Sequence, residues 1–556
     1  MCTLCQTTQP WADECFYGEL TNEGASKPET DSAASSLPVF TYDEIANQLT
    51  NTYWGGSSRA FDVAPGGTLY VNVDGLAANG QAMALQALEA WTMVSGINFV
   101  EVNGDAAPNN TIVETSGAAP GTGTSYSMAI GDDFVGELTS GSDRDSIAVY
   151  ISAGQTVDVT LTGEGSTPTA DPYLRVYNTS GSIVAQNDDA NGSADSAITY
   201  QATYSGIHYF EAGSFNDENP GDFRLSVRPS GSNADIVFDD NNSGAYASTS
   251  QWNGTIQSSF INISSNWAGG QNRTDGYYFQ TYIHEIGHAL GLGHAGNYNG
   301  NATYGVDNHY QNDSWQASVM SYFHQTENTN VDAYFAYVIT PQIGDIVAIQ
   351  SLYGAPTDIN AGDTTYGDNA NTGTYLDQAM SLSNPISFTV FDSAGTDTFD
   401  FSSHHEDQML DLREETYSDL AGWVGNIGIA RGTVIEHGRT GSGDDTVTGN
   451  SADNGVSAGS GHDNVFGGSG NDAIRGQAGN DTLAGDDGFD FIEGGAGDNL
   501  IQGGNGGDLL FGGDVTLDAL AMIFPTWTPP SNAQDFLDND GYAMLWNDIL
   551  VDQGFA

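Results

Sequence analysis

One eleven-residue stretch, His284-Glu285-Ile286-Gly287-His288-Ala289-Leu290-Gly291-Leu292-Gly293-His294, holds the densest chemistry in the chain. On a helix, His284 and His288 stand one turn apart and present their imidazoles on the same face. Gly291 lets the backbone turn sharply, so that His294 returns as a third nitrogen donor. Three neutral imidazoles leave one zinc position open for water, which is the pattern of a catalytic zinc rather than a structural one. Glu285, beside the first histidine, stands where it can take that water's proton. Chance matches to the five fixed positions arise on the order of 10⁻⁵ in such a composition, so a helix that merely happens to carry histidines is a poor account. A second element follows at Ser318-Val319-Met320-Ser321-Tyr322. A methionine between apolar neighbours ordinarily fills a core; after three zinc-spaced histidines, Met320 fits a turn that underlies the metal, with Tyr322 in reach of it.

Oxygen ligands are concentrated further on. From Thr440 to Phe511 the chain divides into consecutive nine-residue units. Their eighth positions are Val447, Val456, Val465, Ile474, Leu483, Ile492, Ile501 and Leu510, all branched aliphatics, and glycine fills most first, second and fourth positions. Their sixth positions are Asp445, Asn454, Asp463, Asp472, Asp481, Asp490, Asn499 and Asp508. Two units make one coil, so aspartates two units apart face each other and, with backbone carbonyls, offer the hard oxygen shell that calcium prefers. Asn454 and Asn499 bring less charge and mark weaker sites. An acidic, glycine-rich linker would not keep the aliphatic register unbroken.

Composition narrows the partners. Of 556 residues, 72 are acidic and 11 basic, giving a formal charge of −61, and Lys27 is the lone lysine. Such a chain cannot neutralise a nucleic-acid backbone or an anionic membrane surface. The hydrophobic content of 38% still suffices for real cores. The three cysteines, Cys2, Cys5 and Cys15, all lie in the first fifteen residues, so no disulfide framework holds the fold. No stretch reaches the roughly 18 apolar residues of a membrane span, and the N-terminus has neither the basic start nor the apolar run of a secretory signal peptide.

The elements that position these residues can be read in outline. Residues 1–38 have the texture of a flexible extension. Thr41 and Glu44 make a capping box for a helix through Leu49. A strand is expected at Thr68–Val73, and then a helix capped by Asn79 with Met83, Leu85, Leu88 and Trp91 on its apolar face. A strand at Ile97–Val102 completes a mixed first part, residues 39–116. Short strands with no helical periodicity then point to a β-sandwich over 117–230. The mixed pattern resumes over 231–354, with a helix from about Tyr277 to Leu290 and another opened by Thr340 and Pro341 and stopped by Gly354. The sandwich therefore reads as inserted into one domain, followed by a roll domain over 355–514 and a tail, 515–556.

With these residues in view, the chain resembles the serralysin-type secreted metalloproteases, which belong to the metzincins. The resemblance runs through Thr41–Val102, the histidine motif, SVMSYF, the segment PQIGDIVAIQSLYGA, FDSAGTDTFDFS and the repeats. Residues 124–228 look like the pre-peptidase C-terminal domain, a β-sandwich that most serralysins lack in this position. There Asp171, Asn187, Asp188 and Asp189 are either a calcium site or solvated turn carboxylates. Two departures stand out: Ala295 follows the third histidine where serralysins usually have proline, and the cysteines are not part of the family pattern.

The resemblance implies a multidomain α+β fold, in which a metzincin catalytic domain is interrupted by a β-sandwich and followed by a calcium-binding parallel β-roll. It implies that His284, His288 and His294 bind zinc, that Glu285 is the general base, and that Tyr322 is a displaceable zinc ligand able to bond the oxyanion. It also implies calcium at Asp363, Asp392, Asp397 and Glu436, beside the repeat positions Asp445, Asp463, Asp472, Asp481, Asp490 and Asp508. The function implied is a secreted, monomeric zinc endopeptidase acting on protein substrates, exported by a bacterial type I apparatus through an uncleaved C-terminal signal, with calcium folding the repeats outside the cell. The first 38 residues are then a pro-segment, whose cysteines either hold the zinc as thiolate or belong to a mobile, redox-active tail that is simply cut away. Two other classes compete. One is a calcium-dependent adhesin with an inert metzincin domain, disfavoured by the intact zinc set. The other, an exported lipase, requires a G-x-S-x-G elbow, which is not expected anywhere in the chain, and is set aside.

Overall fold

The computed structural model describes residues 37–102, 110–151, 155–165, 167–190, 194–229 and 234–515, with 520, 523 and 524. Cys2, Cys5, Cys15, nearly all of the expected pro-segment and nearly all of the expected C-terminal signal lie outside the described residues. The molecule is rich in β-structure and has few helices, and its contacts divide it into two compact units.

The first unit gathers residues 1–67, 76–98 and 240–556. Thr41 caps the helix Tyr42–Asn47 through a full capping box with Glu44, and the chain continues in a π-helical turn, Gln48–Thr52. The chain is docked even before that helix: Phe40 stacks on Tyr310 at 4.4 Å, its amide groups pair with the Asn312 side chain, and the Gln311 N–H donates to the Pro38 carbonyl. Order thus starts ahead of Thr41, because an aromatic stack and backbone-directed amides hold residues 37–40. Helix Ala78–Ser95 is entered from Ala77 with no side-chain cap, and Gly96 stops it at φ 66°. Asn79 does not cap it; its amide donates instead to the Gly270 carbonyl. Met83, Leu88 and Trp91 are buried as expected, whereas Leu85 is 39% exposed.

A hairpin of Ala245–Trp252 and Thr255–Ile263 follows, joined through Asn253 and Gly254, both at positive φ as a two-residue hairpin turn requires. It leads to the helix Tyr277–Ala289. The next helix, Ile343–Tyr353, begins two residues later than expected. Gln342, not Thr340, is its N-cap, since Asp345 returns a carboxylate to the Gln342 N–H, and Pro341 stays outside the helix.

Beyond Tyr353 the chain winds into two largely parallel sheets, one of which takes in Tyr417–Leu420 antiparallel to both of its neighbours. Odd nonapeptides pair in one, with Thr446 opposite Asn464, Asn464 opposite Thr482 and Thr482 opposite Leu500; even ones pair in the other, with Gly455 opposite Ala473, Ala473 opposite Phe491 and Phe491 opposite Leu509. The aliphatic residues from Val447 to Ile492 fill the space between the sheets, while Leu510 in the last coil is 46% exposed.

The second unit gathers residues 68–75 and 99–239. Most of it is a sandwich of two sheets, with Asp145–Ile151, Gly206–Ser214, Pro172–Tyr177 and Ile183–Asn187 in one, and Thr111–Val113, Asp133–Leu138, Gly221–Pro229, Thr156–Gly163 and Ser196–Gln201 in the other. Alternating residues such as Ile147, Val149, Leu161, Leu174, Phe210 and Leu225 make its core. The unit takes in more chain than the 117–230 stretch set apart by its texture, because Thr68–Gly75 pairs in parallel with Ile236–Asp239. Among the described residues, no helix is long and apolar enough to cross a membrane.

Candidate metal centre

Within the first unit, the helix Tyr277–Ala289 places His284 and His288 with ring centroids 4.7 Å apart. Two glycines bring the third histidine back. At Gly291 φ is 109°, and a Cβ there would lie 2.1 Å from the Arg59 carbonyl oxygen. At Gly293 a Cβ would strike the Tyr53 ring, and the Gly293 N–H donates to the Leu49 carbonyl. The N-terminal helical turn thus seats the loop that carries His294. One ring nitrogen from each of His284, His288 and His294 lies within 4.8 Å of the others.

The remaining ring nitrogens are fixed. His284 Nδ1 donates to the Val319 carbonyl at 2.8 Å, His288 Nδ1 to Leu292 at 2.9 Å and His294 Nδ1 to Tyr298 at 2.9 Å. Such bonds set the tautomer, leaving each Nε2 with its lone pair toward the cluster. His288 Nε2 and His294 Nε2 are only 2.9 Å apart. Two facing lone pairs at that distance repel unless a cation is common to them, so these residues fit a divalent metal with nitrogen preference. Burial lowers the imidazole pKa values, to about 4 for His284 and about 3 for His288, and lowers His294 as well, with the neighbouring imidazoles adding to the effect at His288 and His294. All three are neutral, the state a metal requires.

Glu285 is buried, and its Oε2 finds no hydrogen-bond partner among the described residues. Burial raises its carboxyl to about 8, against a hydrogen bond from the Ala247 N–H that lowers it. A divalent cation at the imidazoles would bring it back down.

The cluster is floored by Met320, fully buried. A Cβ on Gly287 would approach the Met320 sulfur to 2.6 Å and the Trp91 ring to 3.0 Å, so a bare backbone between the two histidines lets the thioether pack beneath them. The turn is anchored by Asp345, which accepts from the Ser318 hydroxyl at 2.6 Å and the Val319 N–H at 2.7 Å. Tyr322 lies with its ring centroid 4.5 Å from that of His294 and 6.1 Å from that of His284. Tyr53, whose hydroxyl meets His294 Nδ1 at 3.1 Å, and Tyr298 complete the surround. Neither was singled out from sequence, since a tyrosine carries no ligand spacing; the Gly293 and Gly296 that make room for their rings were the available signal.

The oxygen-rich candidates fall into two groups. Asp363, Asp392, Asp397 and Glu436 converge: Asp363 accepts from the Thr396 N–H, Glu436 from the Asp397 N–H, Asp397 from the Thr364 N–H, and Asp392 from the Tyr366 hydroxyl. Burial, then Asp392 and Glu436, push Asp397 up to about 8. In the repeats, one oxygen of Asp463, Asp472, Asp481, Asp490 and Asp508 accepts the backbone N–H of the sixth-position residue eighteen back, as Asp463 does from Asp445 and Asp508 from Asp490, while Asp445 accepts from the Gln408 N–H. The other oxygen, on Asp445, Asp463, Asp472, Asp481 and Asp490, is buried without a hydrogen-bond partner among the described residues. On Asp472, Asp481 and Asp490 it faces the first-position glycine of its own unit: a Cβ on Gly467 or Gly485 would come within 2.3 or 2.1 Å of the Asp472 or Asp490 oxygen, and within 2.8 or 2.7 Å of a carbonyl from the next coil. Buried, unpaired oxygens beside converging carbonyls fit a hard cation such as calcium. Asn454 spends its amide on Glu436 and Asn450 instead. Asp508, in the last coil, is only half-buried.

A G-x-S-x-G string does occur, at Gly455-Val456-Ser457-Ala458-Gly459, correcting the expectation on which the lipase was set aside. It lies in a repeat strand, Gly455–Ser457, with no strand-to-helix turn, so it is not a nucleophile elbow.

Residues 355–508 match the family described as Peptidase M10 serralysin C terminal. The serralysin of Photorhabdus luminescens is 42% identical over 198 residues, covering 34% of this chain and 40% of that protein. The metallopeptidase AprA of Pseudomonas marginalis is 45% identical over 179 residues, covering 31% and 37%. Among solved structures, the pre-peptidase C-terminal domain of the Bacillus anthracis collagenase aligns over 22% of this chain and 99% of its own, at 13% identity and a TM-score of 0.16, which carries no argument. This chain is thus related to the serralysin-type metalloproteases, and it spans about two fifths of the length of the curated relatives it matches.

Proposed function

We propose that this protein is a secreted zinc endopeptidase that hydrolyses protein substrates and depends on calcium to fold its C-terminal repeats. The observation that carries the reading is the trio of neutral imidazoles, each with Nδ1 tied to a carbonyl and Nε2 turned to a shared point, beside a buried carboxylate with an unpaired oxygen. Zinc held by His284, His288 and His294, with Tyr322 as a displaceable fourth residue, would supply Lewis acidity for water and for the scissile carbonyl. Glu285 then takes the proton of the attacking water on its carboxylate and returns it to the departing amine nitrogen. The Tyr322 hydroxyl donates a hydrogen bond to the oxyanion, stabilising charge where it develops. The helix backbone holds Glu285 next to His284, so the base needs no rearrangement to reach its water.

Calcium belongs to the same reading, held by Asp363, Asp392, Asp397 and Glu436 and by the repeat aspartates Asp445, Asp463, Asp472, Asp481, Asp490 and Asp508. Self-repulsion among 72 acidic residues keeps the roll open where calcium is scarce and lets it close where calcium is abundant. That suits export of an unfolded chain through a type I apparatus, followed by action as a monomer outside the cell.

The test is digestion of casein by the full chain, with calcium kept in excess and zinc removed by a zinc-selective chelator. Cleavage that stops on chelation and returns with zinc supports the reading. A calcium-folded protein that cleaves nothing in either state contradicts it and leaves the adhesin.

A further inference from the structure

Within the segment that joins His294 to Tyr322 lies a carboxylate that the proposed chemistry does not use. Asp313 is fully buried. Its Oδ1 accepts from the Ser321 hydroxyl at 2.7 Å and from the Tyr298 hydroxyl at 3.1 Å, and its Oδ2 accepts from Tyr298 at 3.2 Å. Both donors lead to the metal centre. Ser321 immediately precedes Tyr322, and its Oγ also accepts the Phe323 N–H at 3.1 Å, so the backbone is pinned on both sides of Tyr322. The Tyr298 carbonyl is the acceptor that orients His294 through Nδ1. The Tyr298 ring lies 4.8 Å from that of Tyr322 and 5.7 Å from that of His294, and its hydroxyl also receives the Tyr322 N–H at 3.4 Å. Gly296 makes this possible, since a Cβ there would sit 2.5 Å from the Tyr298 ring.

We propose that Asp313 is a positioning residue for the metal centre: by holding the Tyr298 and Ser321 hydroxyls at once, it sets His294 as a ligand and Tyr322 as its mobile companion. The proposal rests on the zinc reading of the three histidines. A buried carboxylate is a costly way to fix a loop, because its desolvation must be offset by the hydrogen bonds it accepts. An apolar side chain would fill the same space but would leave both hydroxyls unpaired and both neighbours of the metal loosely held. Direct hydrogen-bond partners of ligands ordinarily alter metal affinity or activity by about 10–100-fold, and Asp313 acts on such a partner, Tyr298.

The test uses the full calcium-folded chain as Asp313→Ala, Asp313→Asn and Tyr298→Phe. Three quantities are read: the zinc dissociation constant by chelator competition, the visible spectrum of the cobalt-substituted protein, and kcat and KM on a peptide substrate. The expected result for Asp313→Ala is zinc binding weakened about tenfold or more, an altered cobalt spectrum, and kcat lowered about 10–100-fold with KM little changed. Asp313→Asn, which keeps one acceptor oxygen, recovers most of each loss. Adding Tyr322→Phe to Asp313→Ala lowers kcat no further, since Tyr322 is already out of place. Wild-type zinc affinity and cobalt spectrum in a folded Asp313→Ala would overturn the proposal, even if its melting temperature fell. Should that variant fail to fold, Tyr298→Phe, which removes only the hydroxyl, decides: a wild-type spectrum and affinity overturn the proposal, and a shift in both supports it. If the wild-type chain binds zinc but cleaves no substrate, the endopeptidase reading falls while the affinity and spectrum still judge Asp313.

Discussion

Around the three histidines every Nδ1 meets a carbonyl, whereas along the aspartate ladder one oxygen of Asp445, Asp463, Asp472, Asp481 and Asp490 meets no hydrogen-bond partner among the described residues. The first cluster is built from neutral groups, two on a helix packed over Trp91 and Met320 and one on the loop that follows it. The second is built from carboxylates stacked eighteen residues apart at the entry to short strands, beside a narrow row of aliphatic side chains. Burying a neutral imidazole costs little; burying a carboxylate with an open oxygen costs much. On the proposed reading, one region presents a finished site to its ion, and the other needs its ions in order to be finished.

The comparison can be broken first at the base. Glu285→Gln should reduce proteolysis about 10²–10⁴-fold while zinc content and the calcium response of the roll stay as in the wild type. Assay of the zinc-verified variant checks this, and residual activity above about a tenth of wild type would show that another group takes the proton.

Gly287→Ala probes whether the histidine scaffold stands by packing. The added methyl would meet the Met320 sulfur and the Trp91 ring, so about 1–3 kcal/mol of stability should be lost from that region. Thermal unfolding followed by tryptophan emission measures it, and the calcium midpoint of the roll should not move.

On the ladder, Asp472→Asn should raise the calcium midpoint by roughly an order of magnitude, since ligand charge sets affinity at such sites. Asp508→Asn should raise it less, because Asp508 is half-buried in the last coil. Calcium titrations by circular dichroism compare the two; equal shifts would mean that burial does not grade the sites.

The smallest effect is on pH. Without calcium, burial and then neighbouring carboxylates raise Asp463 and Asp472 to about 7, and burial raises Asp490 to about 6, from an ordinary value near 3.9. A raised carboxylate pKa means that the folded state binds its proton more tightly. The resulting stability is complete below about pH 4 and is lost as the pH rises through 6 to 7. The calcium-free roll should therefore be better ordered at pH 5 than at pH 8, and calcium should cancel the difference. A flat profile of β signal against pH in chelator contradicts this.

Much of the arrangement was legible because it is periodic or spaced. The turn-and-return of His284, His288 and His294 and the aliphatic register of the repeats follow from backbone geometry, and the sandwich declared itself by short strands without helical periodicity, among them Asp145–Ile151, Thr156–Gly163 and Pro172–Tyr177. What was missed depended on contacts between distant residues. Asp133–Leu138 and Ile183–Asn187 are short strands whose identity comes from their partners, and the hairpin Ala245–Trp252 with Thr255–Ile263 is too polar to show a buried face. Asp313 has no local signature at all, and Tyr298 only the Gly296 that clears its ring, since each matters through the fold that brings it to His294 and Ser321. The docking of Phe40 on Tyr310 is of the same kind.

The central claim is that the zinc scaffold is held by the protein and the roll by its ions. Hydrogen exchange read peptide by peptide on the full chain, with calcium and then with a calcium-selective chelator, tests it most directly. The account predicts that peptides from 440–511 lose their protection in chelator while those spanning 277–294 and 313–323 keep theirs. Loss of protection in all of them together, or in none, would contradict it.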